Sequence, residues 1–258
     1  MKKGAMAIVS LAAMAAAGHA APQDLFRGWR GPAVQVADNV PYDGRVTFVR
    51  IRYATDLGGF GGRWARDPGW AHDYPTADIH MMKILNELTL LRPRIDGSNV
   101  FSLADPELHQ HPFAYMSEPG FWAVTEEEAR GLRAYLAKGG FIVFDDFRGG
   151  DWDHLVAQMR QVIPDGLWFE IGTAHPVFHS FFEIDDPAAM TPPYGDLPPL
   201  FYGLFENNDR HGRLLAVANV NNDLGEYWEF SDTGYAPVDL SNQAYKFGVN
   251  YYIYALTH

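Results

Sequence analysis

The chain has no cysteine among its 258 residues. This absence excludes disulfide bonds, thiolate metal sites, iron–sulfur clusters and a cysteine nucleophile. Basic residues are also scarce, since 20 Lys and Arg stand against 32 Asp and Glu for a formal net charge of −12. We therefore expect no binding to nucleic acid, whose phosphates repel an acidic chain. A hydrophobic content of 47% with 20% charged residues indicates a globular protein.

The beginning of the chain has the pattern of an export leader. A positive start at Lys2 and Lys3 is followed by an uncharged, Ala-rich run and then by small residues. We predict a signal peptide over residues 1–20, cleaved after Ala20, and an N-terminal extension over residues 21–43. The mature protein is then expected in the periplasm or outside the cell. No later run is apolar enough for a membrane span, so none is expected.

From about Gly44 the chain alternates strand and helix patterns, which predicts a single α/β domain over residues 44–258. The run Phe141–Phe144 is apolar at every position, as in a strand buried on both faces. Thr125 and Glu128 form a capping-box pattern that begins a helix. The whole pattern predicts a three-layer sandwich with a mostly parallel sheet. Further strands are predicted at residues 45–53, 100–103, 113–116 and 213–220 (the last paired with 204–206), and further helices at residues 81–88, 151–164 and 245–256.

Several short motifs follow one another in an order typical of one family. They are Tyr53, Trp64, Asp73-Tyr74-Pro75, Ala77-Asp78, Gly139-Gly140-Phe141, Asp145-Asp146-Phe147, His175-Pro176-Val177-Phe178, Asn222-Asp223-Leu224-Gly225, Trp228-Glu229 and the ending from Gly248 to His258. From about Arg45 onward, the chain resembles the bacterial family of domain of unknown function 4159. The resemblance implies a fold similar to class I glutamine amidotransferases, a flavodoxin-like three-layer sandwich, and no established reaction. It also implies envelope proteins of the MoxR-type ATPase and von Willebrand type as neighbours, and thus an envelope protein as a partner.

The amidotransferase comparison excludes one reaction. In that fold a nucleophilic cysteine follows a buried strand on a tight turn. Here Asp145 and Asp146 follow the strand Phe141–Phe144, and no Gly-x-Ser-x-Gly elbow replaces the cysteine. Thiol-based glutamine hydrolysis is excluded, whereas catalysis through a carboxylate or a metal is not.

The paired carboxylates are the first candidates for a site. Asp145 and Asp146 are expected to face the crevice at the carboxyl ends of the strands, where open α/β sheets bind ligands. There they could hold a divalent cation or perform acid–base chemistry. The alternative is structural, with one carboxylate capping the helix near Asp151 and the other paired with an arginine such as Arg52. Arg52 ends the first strand and Asp223 follows a late one, so parallel packing predicts that these groups meet.

Histidines are the second group of candidates. His175 precedes Pro176 on an extended loop and could be a general base or metal ligand, or simply a hydrogen-bonded loop residue. The pair His109 and His111 lacks the spacing of a helical zinc motif, and His72-Asp73 carries a still weaker signal.

Aromatic residues are expected on the rim of the crevice. The Gly-rich stretch at residues 58–62 predicts a mobile flap that carries Trp64 and Trp70. Trp228 follows Asn221-Asn222-Asp223, and carboxamides beside exposed rings form a common sugar-binding surface. The alternative for this second cluster is a turn, in which Asn and Asp bond to their own backbone.

Two classes of function follow from these features. The sequence favours an exported ligand- or partner-binding module of the cell envelope, on an amidotransferase-like scaffold without the thiol nucleophile. The alternative is a carboxylate- or metal-dependent hydrolase acting on an envelope carbohydrate or peptide. The sequence identifies neither a cofactor nor a particular metal. The candidate ligand-binding residues are Arg52, Asp145, Asp146, His175 and Asp223, with Trp64 and Trp228 on the rim.

Overall fold

The computed structural model describes residues 34–54, 69–193, 195 and 197–258. These residues contain one seven-stranded sheet and five α-helices. The strands are β1 Phe48–Ile51, β2 Ser98–Phe101, β3 Phe113–Ser117, β4 Phe141–Phe147, β5 Trp168–Glu170, β6 Leu200–Phe205 and β7 Leu214–Val220. The helices are α1 Thr76–Leu88, α2 Glu126–Ala137, α3 Asp151–Val162, α4 Leu224–Glu229 and α5 Val238–Thr257.

The sheet is mostly parallel, as predicted. Its strand order is β2-β1-β3-β4-β7-β6-β5, and the first five of these strands are mutually parallel. The last two break the pattern, because β6 runs antiparallel to β7 and β5 runs antiparallel to β6. The carboxyl ends of the five parallel strands therefore lie along one edge, which we call the carboxyl edge.

Helices cover both faces of the sheet. Leu224 of α4 shares one core with buried residues of α1 and α5, while Leu132 of α2 shares the other with buried residues of α3. Successive residues of β4 alternate between these cores, with Val143 in the first and Phe144 in the second. This two-sided burial explains why β4 is apolar at consecutive positions. The prediction of an α/β fold with helices on both faces is confirmed.

The predicted capping box of α2 is present. Glu128 N–H donates to Thr125 Oγ1 at 3.2 Å, and Thr125 N–H donates to Glu128 Oε2 at 3.0 Å. The predicted pairing of the late strands is also confirmed, since β6 and β7 are antiparallel. The sequence reading missed β5 and α4, which are only three and six residues long.

The described end of the N-terminal extension lies along β2. Asn39 exchanges two hydrogen bonds with the backbone of Val100, and Asn99 exchanges two with the backbone of Val40. These side chains pair with the open edge of the sheet and cover it. Within the described ranges, none of the helices has the length and apolarity to cross a membrane.

Candidate functional site

Asp145 is fully buried, and hydrogen-bond donors surround its carboxylate. Tyr115 OH donates to Oδ2 at 2.8 Å, and Asn219 Nδ2 donates to Oδ1 at 2.9 Å. The backbone N–H groups of Leu224 and Gly225 also donate to Oδ2. Burial nevertheless raises the pKa of Asp145 to about 6. This carboxylate therefore joins β3, β7 and the beginning of α4, which is a structural role.

The side chain of Asp146 contacts other residues than that of Asp145, and the backbone of Asp146 is left-handed, with φ 57°. The register between β4 and β7 shifts at this point, between Phe144 and Phe147. Asp146 Oδ2 lies 2.7 Å from His72 Nδ1 and accepts a hydrogen bond from Ser117 Oγ at 3.3 Å. A non-glycine residue in this conformation costs about 1–3 kcal/mol, and such strain concentrates at functional sites.

His72 and Asp73 reach Asp146 from the segment just before α1. His72 Nδ1 lies 3.5 Å from Asp73 Oδ1, and the negative charge of Asp73 is the main cause that raises the pKa of His72. Asp73 is only 4% exposed, and neither of its carboxylate oxygens has a hydrogen-bond partner among the described residues. Burial raises the pKa of Asp73 well above its ordinary value. A buried carboxylate without hydrogen-bond donors is costly, and the nearby charges of His72 and Arg50 offset part of that cost.

Asp223 and Glu226 enter the same site from the first turn of α4. Asp223 is the N-cap residue, and its Oδ1 accepts from Glu226 N–H at 2.8 Å. Burial and then the charge of Asp146 raise the pKa of Asp223, while burial raises the pKa of Glu226 to about 7. A Cβ at Gly225 would collide with the Asp73 carboxylate, so α4 approaches Asp73 closely only because this residue is glycine.

Two overlapping sets of side chains place their ligand atoms within 4.8 Å of one another. They are His72 with Asp146 and Asp223, and His72 with Asp73 and Glu226. One imidazole with carboxylates suits zinc, manganese or iron(II), and a mainly carboxylate set also suits calcium or magnesium. With three protein ligands, a divalent cation here would keep positions for water or substrate.

The arginine of this region is Arg50, and the expectation for Arg52 is wrong. Because β1 ends at Ile51, Arg52 lies beyond the strand and is exposed. Arg50 is fully buried, and its Nη2 donates to Asp78 Oδ1 at 2.6 Å. Its Nη1 donates to the carbonyl of His72 at 2.7 Å and to that of Trp70 at 3.2 Å. Arg50 thus holds the backbone that carries His72.

The predicted helix cap from the aspartate pair is also absent. Gly150 is the N-cap residue of α3, and no side chain caps that helix. Asp145 accepts from Tyr115, Asn219 and two backbone N–H groups, as described above, so its partners are neutral donors. Asp145 has a structural role, as the second alternative predicts. Its partners are neutral donors, however, and not the helix end or the arginine that the sequence suggested.

His175 lies near the opposite edge of the sheet, so it does not join the site. Its ring packs 5.6 Å from the ring of Phe205, which pairs with Leu214, the first residue of β7. The chain after β5 turns back across the sheet and carries His175 away from the carboxyl edge. His175 Nδ1 accepts from Val177 N–H, so the residue is an N-cap, as the loop alternative predicts.

The predicted aromatic rim is not formed by Trp228. This residue is 1% exposed on α4 and packs against Tyr115 and Phe48 at ring distances of 5.6 and 6.5 Å. Because α4 turns its apolar side to the sheet, Trp228 forms no sugar-binding surface. The turn alternative is correct instead, since Asn222 Oδ1 accepts from Asp223 N–H and Asp223 Oδ1 accepts from Glu226 N–H. Trp70 is buried as well, while Trp64 and the glycines at 58–62 lie outside the described residues.

Sequence reasoning brought Asp146 and Asp223 to one place, gave His72 and Asp73 little weight, and missed Glu226. His72 and Asp73 precede α1 directly, so they lie where the chain leaves the carboxyl edge after β1. This position directly before α1 is the feature of the sequence that could have identified them as site residues. Glu226 had no comparable signal, because the six-residue α4 was not predicted.

Comparison with known proteins supports a family but no activity. No protein with a curated description matches the chain significantly. A family model described as "Domain of unknown function (DUF4159)" matches residues 47–256, which include all seven strands and all the site residues above. The chain therefore belongs to the DUF4159 family.

Proposed function

We propose that the protein binds a divalent cation at the carboxyl edge through His72, Asp146 and Asp223, and that this centre hydrolyses its substrate. The observation that carries the proposal is that the ligand atoms of His72, Asp146 and Asp223 lie within 4.8 Å of one another. Beside them lies Asp73, a buried carboxylate whose oxygens lack hydrogen-bond partners in the described chain. A cation bound there would offset the mutual repulsion of these carboxylates.

The position of the site in the sheet supports a ligand-binding role. The five parallel strands follow the order 2-1-3-4-7, which supports a flavodoxin-like class, with β7 in place of the fifth strand. The order reverses between β1 and β3, where ligands of such sheets bind. The backbone strain at Asp146, near the end of the central β4, is the feature of the site most like the nucleophile turn of an amidotransferase-like scaffold.

The chemistry that a divalent cation would supply at this centre is hydrolytic. A bound divalent cation lowers the pKa of a coordinated water and polarises a carbonyl or phosphoryl oxygen. Carboxylates that do not bind the cation would remain for proton transfer, and Glu226, which lies within ligand distance of His72 but outside the proposed ligand set, is the candidate general base. The non-catalytic envelope module is the second candidate, because Asp145 at the end of β4 is committed to structural hydrogen bonds.

Titration with cations tests the proposal. We expect calorimetry of the protein to show binding of at least one of Mn²⁺, Zn²⁺, Mg²⁺ and Ca²⁺. Asp223→Asn is the sharpest variant, because asparagine keeps the N-cap of α4 and removes only the carboxylate charge. Its affinity should fall at least 10-fold, because losing the charge of a ligand costs no less than losing a group that only supports a ligand. The control is Asp43→Asn, which changes an exposed carboxylate elsewhere.

The outcome of this titration is decisive in both directions. Wild-type protein that binds none of the four cations contradicts the proposal. Equal affinity in wild type and Asp223→Asn also contradicts the assignment of the ligands. Loss of binding in Asp43→Asn would show a nonspecific effect of charge.

Export is part of the proposal. The basic start at Lys2 and Lys3, the Ala-rich run and the small residues before Ala21 support a leader over residues 1–20. Mass spectrometry of the protein from native cells should then find Ala21 at the N-terminus. Recovery of chains that retain Met1, or only from the cytoplasm, contradicts export.

A further inference from the structure

Two carboxylates beside the proposed cation site are not part of its ligand set. They are Asp73, from the segment before α1, and Glu226, from the first turn of α4. Their carboxylate oxygens and a ring nitrogen of His72 lie within 4.8 Å of one another. The same separation defines the proposed set of His72, Asp146 and Asp223. The site therefore contains two sets of three possible ligands.

One cation cannot use both sets of ligands. Among the described residues, the five side chains form two sets that share only His72, and not a single set of five. A divalent cation lies about 2.0–2.6 Å from each ligand atom, so the ligands of one ion lie within about twice that distance of one another. An ion bound to the first set therefore leaves the carboxylates of the second set unused.

Asp73 gives an independent indication of a ligand at the second set. It is 4% exposed, and both of its carboxylate oxygens lack hydrogen-bond partners in the part of the chain that the structure describes. Its Oδ1 lies 3.5 Å from His72 Nδ1. Its Oδ2 faces the beginning of α4, since a Cβ at Gly225 would collide with it, and Glu226 is the next residue. Buried carboxylates are usually paired or bind metals, so these oxygens are suited to a cation.

The first turn of α4 contributes one carboxylate to each set. Asp223 is the N-cap residue, and its Oδ1 accepts from Glu226 N–H at 2.8 Å. Residues three positions apart lie on the same side of a helix, so the two side chains are neighbours. Asp223 belongs to the set with Asp146, whereas Glu226 belongs to the set with Asp73. The turn therefore places the two sets side by side.

We infer that Asp73 and Glu226 bind a second divalent cation next to the one proposed above. The inference rests on the proposed function, which it extends to a centre with two cations. One or two carboxylates, with water in the other positions, are the usual protein ligands of Mg²⁺, and Mn²⁺ accepts the same ligands. The second ion therefore keeps positions for water and for oxygens of the substrate. With this ion bound, Glu226 is a ligand, so it serves as general base only in the form with one cation.

Counting the bound ions tests the inference. We expect equilibrium dialysis of the protein against Mn²⁺ to reach two ions per chain. Hydrolytic centres with two metals hold them about 3.5–4 Å apart, and two Mn²⁺ ions at such a distance are magnetically coupled. Electron paramagnetic resonance of the loaded protein should therefore show a spin-coupled pair in place of two isolated ions.

Matched variants assign the second ion to its ligands. Asp73→Asn and Glu226→Gln each remove one charge and keep the shape of the side chain. Each variant should bind one Mn²⁺ per chain, and its spectrum should lose the spin coupling. The control is Glu229→Gln, which removes the same charge from the same helix but lies outside both ligand sets. It should still bind two coupled ions.

The possible failures are distinguishable. One Mn²⁺ per chain in wild type, or two ions without spin coupling, overturns the second site and leaves the first cation standing. Two coupled ions in both Asp73→Asn and Glu226→Gln, or the loss of one ion in Glu229→Gln, overturn the assignment of the ligands. Wild-type protein that binds no Mn²⁺ also overturns the inference, and the titration with four cations then decides the proposed function separately.

Discussion

His72 Nδ1 lies 2.7 Å from Asp146 Oδ2, although 74 positions separate the two residues in the chain. His72 comes from the segment before α1, and Asp146 from the end of the central strand β4. Around this contact the structure gathers carboxylates whose pKa values burial raises. Groups that repel one another are held together here by the fold, which is typical of a functional site.

The first prediction concerns Asp73, which lacks hydrogen-bond partners among the described residues. Without added cation, Asp73→Asn should stabilise the protein by about 1 kcal/mol, because the burial of the Asp73 charge costs more than its attraction to His72 at 3.5 Å returns. Added Mn²⁺ should then raise the melting temperature of wild type more than that of the variant, since cation binding adds to stability. Thermal melts at pH 7.5 with and without cation measure both effects. An equal cation response in both proteins would contradict a role for Asp73.

The second prediction concerns Asp145, whose replacement should lower the stability of the protein, whereas replacement of Asp73 should raise it. Asp145→Asn should destabilise the protein by about 1–3 kcal/mol, because its amide would face the Asn219 Nδ2 donor or lose one of the bonds to Tyr115 and α4. Urea denaturation measures the loss. A gain in stability for Asp145→Asn, or none for Asp73→Asn, would reverse the roles assigned to the two carboxylates.

The third prediction is a pH effect at the other edge of the sheet. Burial, and then the charge of His258, lower the pKa of His175 to about 4, below the unfolded value of 6.5. Between these pH values the unfolded chain binds the proton more readily, so stability falls as the pH drops from 6.5 to 4. After a discount for partial exposure, this contribution is about 1–2 kcal/mol.

His175→Asn isolates this contribution. Asparagine still accepts from Val177 N–H as an N-cap but does not titrate. Between pH 6.5 and 4 the variant should lose about 1–2 kcal/mol less stability than wild type in urea denaturation. Parallel pH profiles for the two proteins would show that His175 is not responsible.

The sheet was predictable because burial leaves a pattern in the sequence. β4 is apolar on both faces, and the capping box of α2 uses residues three apart, so each signal is local. The short elements β5 and α4 carry too few residues for a periodic pattern. The predicted end of β1 was also wrong, because the ends of strands leave weaker signals in the sequence than their centres. As a result, the sequence indicated Arg52 as the arginine of the site instead of Arg50.

The site was less predictable because it depends on contacts between distant segments. Parallel strands meeting at one edge indicate correctly that Asp146 and Asp223 come together. The packing of parallel strands does not determine the path of the loops that connect them. For this reason His175 was wrongly predicted at the site, and His72 was given little weight. The left-handed backbone at Asp146, which turns it away from Asp145, has no signature in sequence either.

The last prediction concerns Arg50 and Asp78, a fully buried ion pair. Arg50→Met alone leaves the Asp78 charge unpaired and should cost about 3–5 kcal/mol. Adding Asp78→Leu should restore most of that loss, because an apolar pair of similar volume often replaces a buried ion pair without net cost.

Cation affinity should not recover with stability in this double variant. Arg50 Nη1 also donates to the carbonyls of His72 and Trp70, and methionine cannot hold that segment. We expect at least a 10-fold loss of Mn²⁺ affinity by calorimetry, although stability in urea recovers most of the loss seen in Arg50→Met alone. Arg45→Met with Asp43→Leu, the same exchange at an exposed ion pair, should leave both quantities unchanged. Wild-type affinity in the Arg50 and Asp78 double variant would show that the pair does not position His72, because the imidazole would then reach the cation without the arginine.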